Sequence, residues 1–273
     1  MKIVIKIGSA LISKNNRIDK TWLTSLVDQV AMLFREGHQL LIVSSGAVAA
    51  GMEIQGLRKR PHKSLDLQLL SGQGQVRLST YYKNMFKDKY IFTSQVLLTH
   101  HNFDIPREVE SLVRILNEYM DRGVIPIINE NDLINKEEVS GKGNFSDNDI
   151  LASLVGRAVK ADLSVILTNV DGLYPRNPSD PEGAGDIIPV VLNITDEIKQ
   201  MASKGKSNLG IGGMYSKIEA AQMLTAEGIP VIVANGNHSL QDILEDKVPR
   251  TFFPAGGKKA VEKFKDSGFE YPV

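Results

Sequence analysis

The sequence predicts an α/β protein: a three-layer α-β-α sandwich around a mainly parallel central sheet. Three observations predict it. Short runs of branched apolar residues recur along the chain, longer amphipathic stretches of helical period lie between them, and several runs end in glycine-rich or polar turns that open the next helix.

The first run, Ile3 to Ile7, is a buried strand; Lys6 interrupts it and no small-residue cleavage site follows, which argues against a signal peptide. Trp22 to Phe34 is a crossover helix, and Leu40 to Val43 is the second strand. Ser44-Ser45-Gly46-Ala47 then opens an alanine-rich helix, and Leu65 to Phe86 is a long amphipathic one. Ile91 to Leu98, Val124 to Ile128, Leu163 to Leu167 and Pro230 to Ala234 supply four further strands. Val109 to Tyr119, Ile150 to Val159 and Lys217 to Ala226 supply helices between them. The polar, glycine-containing segment 135–146 reads as a loop or small hairpin beside the site, placed to act as a lid. No linker and no repeat of fixed period divides the chain, so one domain is expected over residues 1–254. A tail over 255–273 follows, with a short charged helix candidate from Lys258 to Asp266.

The 273 residues are 42% apolar, enough for a substantial core. Lysine plus arginine total 32 and aspartate plus glutamate total 32, so no global charge excess recommends nucleic acid or an anionic membrane as partner. The absence of cysteine removes disulfides, thiolate metal sites and a cysteine nucleophile together, and favours a cytoplasmic setting. No apolar run approaches the roughly 20 residues that span a bilayer.

Four separated turns, Lys6 to Ser9, Ser44 to Ala47, Asn129 to Asp132 and Gly210 to Lys217, carry polar groups suited to phosphate or amino-acid chemistry, and an open α/β sheet gathers such turns at the carboxyl edge of its strands. Lys6 sits in an apolar strand just before Gly8-Ser9, a costly place for a charge unless an anion or carboxylate partners it. Gly8 lets backbone amides approach a phosphate, and Ser9 adds a hydroxyl. Ser44-Ser45-Gly46-Ala47 suits a carboxylate or phosphate, although a plain serine N-cap would explain it as well. Asn129, Asn131 and Asp132 combine amides with a carboxylate, able to read both ends of an amino acid or to serve as ordinary Asx turns. Asp147-Asn148-Asp149 opens a helix; Asp147 suits a cap and Asp149 a lysine partner. Gly210 to Lys217 is neither a Walker A sequence nor a dinucleotide fingerprint, yet it places Lys217 near a helix N-terminus, where an anion must compensate the dipole.

Other patterns carry little. Gly72-Gln73-Gly74-Gln75-Val76-Arg77 breaks the dinucleotide fingerprint and lies within a helical stretch; His100 and His101 read as solvated or capping; Asn193-Ile194-Thr195 is a chance glycosylation triplet.

Lys6-Ile7-Gly8-Ser9, Val43 to Gly51, Pro126 to Asp132, Asp147-Asn148-Asp149 and Gly212 to Lys217 together resemble the amino-acid kinase family over residues 2 to about 254. The resemblance implies ATP-dependent phosphorylation of the L-glutamate side-chain carboxylate to γ-glutamyl phosphate and ADP, the first step of proline biosynthesis. ATP is then co-substrate, with Mg2+. Carried over by position, Ser45, Gly46, Asn129, Asp132 and Asn148 would contact glutamate. Lys6, Gly8, Ser9, Thr168, Asn169, Ile211, Gly212, Gly213, Met214, Tyr215, Ser216 and Lys217 would contact ATP. Lys6 and Lys217 would flank the transferring phosphoryl group, with Asp149 holding both. The family also implies a homo-oligomer, proline as feedback inhibitor and a glutamyl phosphate reductase as metabolic partner.

This chain departs from the family pattern at Asn169, where members often carry aspartate, and at Ser146, where glycine is common. It also ends too soon for the PUA-type domain that many relatives carry. Two alternatives stand beside this reading: another kinase of the same fold, acting on acetylglutamate, aspartate, carbamate or UMP, and a non-catalytic amino-acid or nucleotide sensor.

Overall fold

The computed structural model describes residues 1–134, 148–176, 183, 185–203 and 213–256. In chain order its elements are β1 (Lys2–Ile7), α1 (Ser9–Ile12), β2 (Ser13–Lys14), β3 (Arg17–Ile18), α2 (Lys20–Arg35), β4 (Gln39–Val43), α3 (Ala47–Gln55) and α4 (Ser64–Lys87). Then come β5 (Phe92–Leu98), α5 (Pro106–Asp121), β6 (Val124–Glu130), α6 (Asn148–Val159), β7 (Leu163–Thr168), α7 (Asp196–Ser203), α8 (Met214–Ala226), β8 (Val231–Asn235), α9 (Leu240–Leu244) and β9 (Arg250–Phe253).

Among the described residues the central sheet runs β5-β6-β4-β1-β7-β8-β9. Every neighbouring pair is parallel except β8 and β9, which are antiparallel. The three-layer sandwich is therefore as the sequence predicts. The sequence reading did not include β9, the two-residue strands of the β2–β3 hairpin, or the short helices α1, α7 and α9. Such elements span two to eight residues, too few to set up a period of their own.

Strand alternation divides the core between the two faces. Ile3, Ile5 and Ile7 face one cluster with Leu40, Ile42, Ile125 and Ile127, packed under α2 and α4. Val4 faces the other, with Leu41, Val43, Ile128, Ile166 and residues of α6 and α8. Because side chains alternate, Lys6 leaves β1 on the same face as Val4, toward α6 and α8. Asn129 leaves β6 on the face of Ile127, toward α4. The fold thus aims a lysine at one pair of helices and an amide at another.

Helices α3 and α4 are held unusually close by two glycines. A Cβ on Gly74 would fall 1.7 Å from the Ala47 carbonyl oxygen, and one on Gly51 would fall 2.0 Å from the Leu70 carbonyl oxygen. The Gly72–Arg77 segment lies in α4, and the glycine at 74 is a contact point between helices rather than part of a dinucleotide loop. The β2–β3 hairpin is tied to these helices by Glu53, whose carboxylate accepts from Tyr81 Oη at 2.7 Å and from the Ile18 amide at 3.3 Å.

Candidate active site

The centre of the site is built from the ends of three elements. Lys6 is one residue from the carboxyl end of β1, Asp149 is the second residue of α6, and Lys217 lies in the first turn of α8. All three are buried. Lys6 Nζ lies 2.5 Å from Asp149 Oδ1 and Lys217 Nζ lies 2.9 Å from Asp149 Oδ2. Ser216 Oγ, one residue before Lys217, also donates to Asp149 Oδ2 at 2.9 Å.

Burial alone would raise the Asp149 carboxyl; the ammonium groups of Lys217 and Lys6 outweigh it and hold the group well below the usual carboxylate range. Asp149 is therefore a fixed anion. One carboxylate against two ammonium groups gives this cluster a net positive charge inside low-dielectric surroundings, at the carboxyl edge of the sheet. Such a cluster attracts a further anion, and a phosphoryl group in transfer is one.

A second group of residues lies beside it. The turn after β4 places Ser44 and Ser45, both buried, before α3. The helix N-cap is Gly46, with φ of 104° and no side-chain cap bond, so neither serine caps α3. Ser45 Oγ donates to the Ile7 carbonyl at 2.9 Å, and Ser44 Oγ shares a 2.9 Å hydrogen bond with Tyr82 Oη. A Cβ on Gly46 would meet Ile12 Cγ2 at 3.0 Å, and its left-handed backbone independently favours glycine. β6 supplies Asn129, buried, and the turn after it supplies Asp132, whose carboxylate accepts a hydrogen bond from Ser71 Oγ of α4. Asn148, the neighbour of Asp149 in sequence, donates from Nδ2 to the Ser44 carbonyl and Ser45 Oγ, both at 3.2 Å, and to Asn129 Oδ1 at 3.3 Å. The structure thus brings Ser45, Gly46, Asn129 and Asn148 together, with Asp132 three residues beyond Asn129.

The Asn148 Oδ1 atom is buried and has no hydrogen-bond partner among the described residues. A buried acceptor of this kind fits a donor from a bound molecule, and an ammonium group is the strongest donor an amino acid offers.

The remaining sequence-predicted residues lie along the same sheet edge. Gly8 donates its amide to the Leu167 carbonyl at 3.0 Å, and a Cβ there would also sit 3.0 Å from that oxygen. Ser9 begins α1 and is exposed. Thr168 ends β7, with Oγ1 donating to Asn169 Oδ1 at 3.4 Å. Gly213 is the N-cap of α8, and Met214, Tyr215 and Ser216 form its first turn. Ile211, Gly212, Ser146, Asp147, the 135–146 loop and the candidate helix from Lys258 to Asp266 lie outside the described residues.

Several participants escaped the sequence reading. Ser71 and Gln75, both buried on α4, reach Asp132 and Asn129 respectively. Desolvation lowers the Arg60 guanidinium from its ordinary pKa, and the nearby charge of Asp132 opposes that shift. Asp171 Oδ1 accepts from Asn235 Nδ2 at 2.9 Å and its Oδ2 accepts from Tyr174 Oη at 3.2 Å, linking the ends of β7 and β8. The only advance signal for Ser71 and Gln75 was their place on the inner face of an amphipathic helix, where apolar residues are the norm. His100 Nε2 lies 3.7 Å from the buried Glu130, and His101 lies beside Asp104.

The donor set suits a nucleotide triphosphate. It presents lysines and a helix N-terminus to phosphates, and magnesium is commonly carried on phosphate oxygens and water rather than in an all-protein cage. Among the described residues no three His, Asp or Glu side chains cluster as metal ligands.

A family model described as the amino acid kinase family matches residues 1–235. The glutamate 5-kinase of Lactococcus lactis subsp. lactis is 38% identical over 255 residues, covering 92% of this chain and 94% of that protein. The glutamate 5-kinase of Streptococcus uberis is 36% identical, again over 92% and 94%. That of a Thermoanaerobacter species is 36% identical over 93% of this chain and 68% of its own length. Among solved structures, the UMP kinase of Ureaplasma parvum superposes with a TM-score of 0.59 at 15% identity, over 93% of this chain and 98% of that one, a likeness of fold. With its lysine–aspartate–lysine centre, its parallel sheet and these relatives, the chain belongs to the amino acid kinase family.

Proposed function

We propose that this chain transfers the γ-phosphoryl group of ATP to the side-chain carboxylate of L-glutamate, giving γ-glutamyl phosphate and ADP as in the first step of proline biosynthesis. The observation that carries the reading is the contact between two sites on one helix turn: Asn148 faces the amide and serine cluster, while Asp149 holds Lys6 and Lys217.

In this reading Asn148, Asn129, Asp132, Ser45 and the backbone at Gly46 hold the amino acid. Its side-chain carboxylate is already ionised at neutral pH, so no general base is required. A carboxylate oxygen forms a bond to the γ-phosphorus as the bond from that phosphorus to the bridging oxygen breaks, and ADP leaves with the electron pair. Lys6 and Lys217 stabilise charge on the phosphoryl and leaving oxygens, and Asp149 fixes where the two ammonium groups stand. Gly8, Ser9, Thr168, Asn169 and the stretch from Ile211 to Ser216 bind the nucleotide, with Mg2+ supplying further neutralisation of phosphate charge.

The domain is residues 1–254, followed by the tail. Its product is a labile acyl phosphate, so a glutamyl phosphate reductase is the metabolic partner. Proline acts as feedback inhibitor, the assembly is a homo-oligomer, and the setting is the cytoplasm. Among the described residues no helix is long and apolar enough to cross a membrane.

The test is magnesium-dependent ADP release with glutamate, aspartate, acetylglutamate, carbamate and UMP, with hydroxylamine present to trap an acyl phosphate. Hydroxamate formed with glutamate alone is the expected result; turnover confined to another acceptor, or none with any, overturns the reading.

A further inference from the structure

Three side-chain amides form a relay from the long helix α4 to the amino-acid cluster, and each is oriented by a backbone group that has only one hydrogen-bonding sense. Gln75 Nε2 donates to the Glu130 carbonyl at 3.0 Å, which leaves Gln75 Oε1 to accept from Asn129 Nδ2 at 3.3 Å. The Glu130 amide donates to Asn129 Oδ1 at 2.9 Å, fixing the second amide the same way round. Asn148 Nδ2 donates to the Ser44 carbonyl and to Asn129 Oδ1, fixing the third. An amide's two ends are ordinarily interchangeable in shape, and here the backbone breaks that symmetry at every step.

The consequence falls on the last member. With its donor end engaged, Asn148 turns its acceptor end, Oδ1, into the unpartnered buried position described above. Gln75 touches neither glutamate nor nucleotide in this scheme; it is buried in α4, and among the described residues its side chain hydrogen-bonds Asn129 and the Glu130 carbonyl.

We infer that Gln75 is a positioning residue for amino-group recognition: it braces the donor end of Asn129, whose Oδ1, together with the Ser44 carbonyl, keeps the Asn148 amide in place with its acceptor toward the ammonium group of the bound amino acid. This rests on L-glutamate being the acceptor. It accounts for one of the two polar side chains, Ser71 and Gln75, on the inner face of a helix whose buried residues at 67, 70, 78, 82 and 86 are apolar or aromatic. It also gives the site a basis for separating a free amino acid from an analogue without the amino group, because a site built to bond a polar group rejects a ligand that lacks it.

The test compares glutamate with glutarate, which has both carboxylates and no amino group. In the full chain, Gln75→Met removes both polar atoms and keeps most of the volume. The KM for glutamate is expected to rise about tenfold, with the inhibition constant of glutarate, the KM for ATP and kcat each within about twofold of wild type. Gln95→Met is the control, since among the described residues the Gln95 side chain hydrogen-bonds the backbone oxygen of Gln75 and none of the three relay amides, and it is expected to leave all four constants unchanged. Should Gln75→Met not fold, Gln75→Glu keeps an acceptor opposite Asn129 and is expected to raise the glutamate KM by a smaller factor, glutarate again unaffected. Weakening of glutamate and glutarate by the same factor, or no change for either, overturns the inference. A wild-type protein that does not turn over glutamate overturns the acceptor reading first, and this one with it.

Discussion

Lys6 and Lys217 bind opposite oxygens of one buried carboxylate, so the two ammonium groups are spaced by the width of Asp149 rather than by their own flexible side chains. A lysine on a free four-carbon stem samples many rotamers. Anchored this way, each presents its charge from a fixed point at the sheet edge.

Replacing the anchor is therefore expected to damage chemistry more than binding. Asp149→Asn should lower kcat at least about 100-fold with little change in either KM, because the lysines lose their placement for the transition state. It should also cost about 3 kcal/mol or more of stability, since two buried ammonium groups lose their counter-ion. Steady-state kinetics and urea unfolding check both; a variant with raised KM and intact kcat contradicts the assignment.

Removing one lysine should likewise act on turnover. Lys217→Ala and Lys6→Ala are each expected to reduce kcat by at least about 100-fold while the glutamate KM stays within about threefold. Single-turnover kinetics with saturating ATP separate this from slow product release.

Asp149 also sets a pH signature. Its folded pKa lies below its unfolded value, so its contribution to stability is complete above the ordinary carboxylate pKa of about 4 and is lost as pH falls through the lower folded value. The gap in melting temperature between wild type and Asp149→Asn should be constant from about pH 5 to 8 and shrink below about pH 4. Thermal melts across that range measure it; a gap independent of pH counts against the buried ion pair.

In the proposed reading Asp132 serves the amino acid, and Ser71 braces its carboxylate. Asp132→Ala is expected to raise the glutamate KM about 10- to 100-fold, the effect of losing a charge-assisted hydrogen bond, with the ATP KM unchanged. Initial-rate measurements varying each substrate in turn decide it.

Packing gives one prediction without any ligand. Gly74→Ala drives a Cβ into the Ala47 carbonyl, backbone against backbone, with no flexible side chain able to yield. A loss of about 3 kcal/mol is expected in urea unfolding. Gly56→Ala is a useful contrast, because nothing lies within 4 Å of its Cβ and only its φ of 67° opposes the change.

Much of this architecture was legible from the sequence because the inner strands are buried on both faces and write themselves as continuous apolar runs, as in Leu40 to Val43 and Val231 to Ala234. The lysines and acids of the site stood out for the opposite reason, as charges where apolar residues belong. What stayed hidden were contacts made across the fold. Nothing local distinguishes β9, which exists through its pairing with β8. Gln75 reads as one more polar residue in a helix until Asn129 is seen opposite it, and Gly74 as a weak helix former until α3 is seen lying against it. The two serines after β4 read equally as an anion-binding turn or as caps; the structure excludes the cap and directs their hydroxyls to Ile7 and Tyr82.

Asn148 and Asp149 are consecutive residues on the first turn of α6, one turned to Ser45 and Asn129 and the other to the two lysines. Selectivity and chemical power are thereby geared to a single rigid cog. A lineage that shifts or rotates this turn to admit a new acceptor also detunes its own phosphoryl transfer. Substitutions on α4 and after β6 are therefore expected to change acceptor choice at less cost to turnover than substitutions at the start of α6.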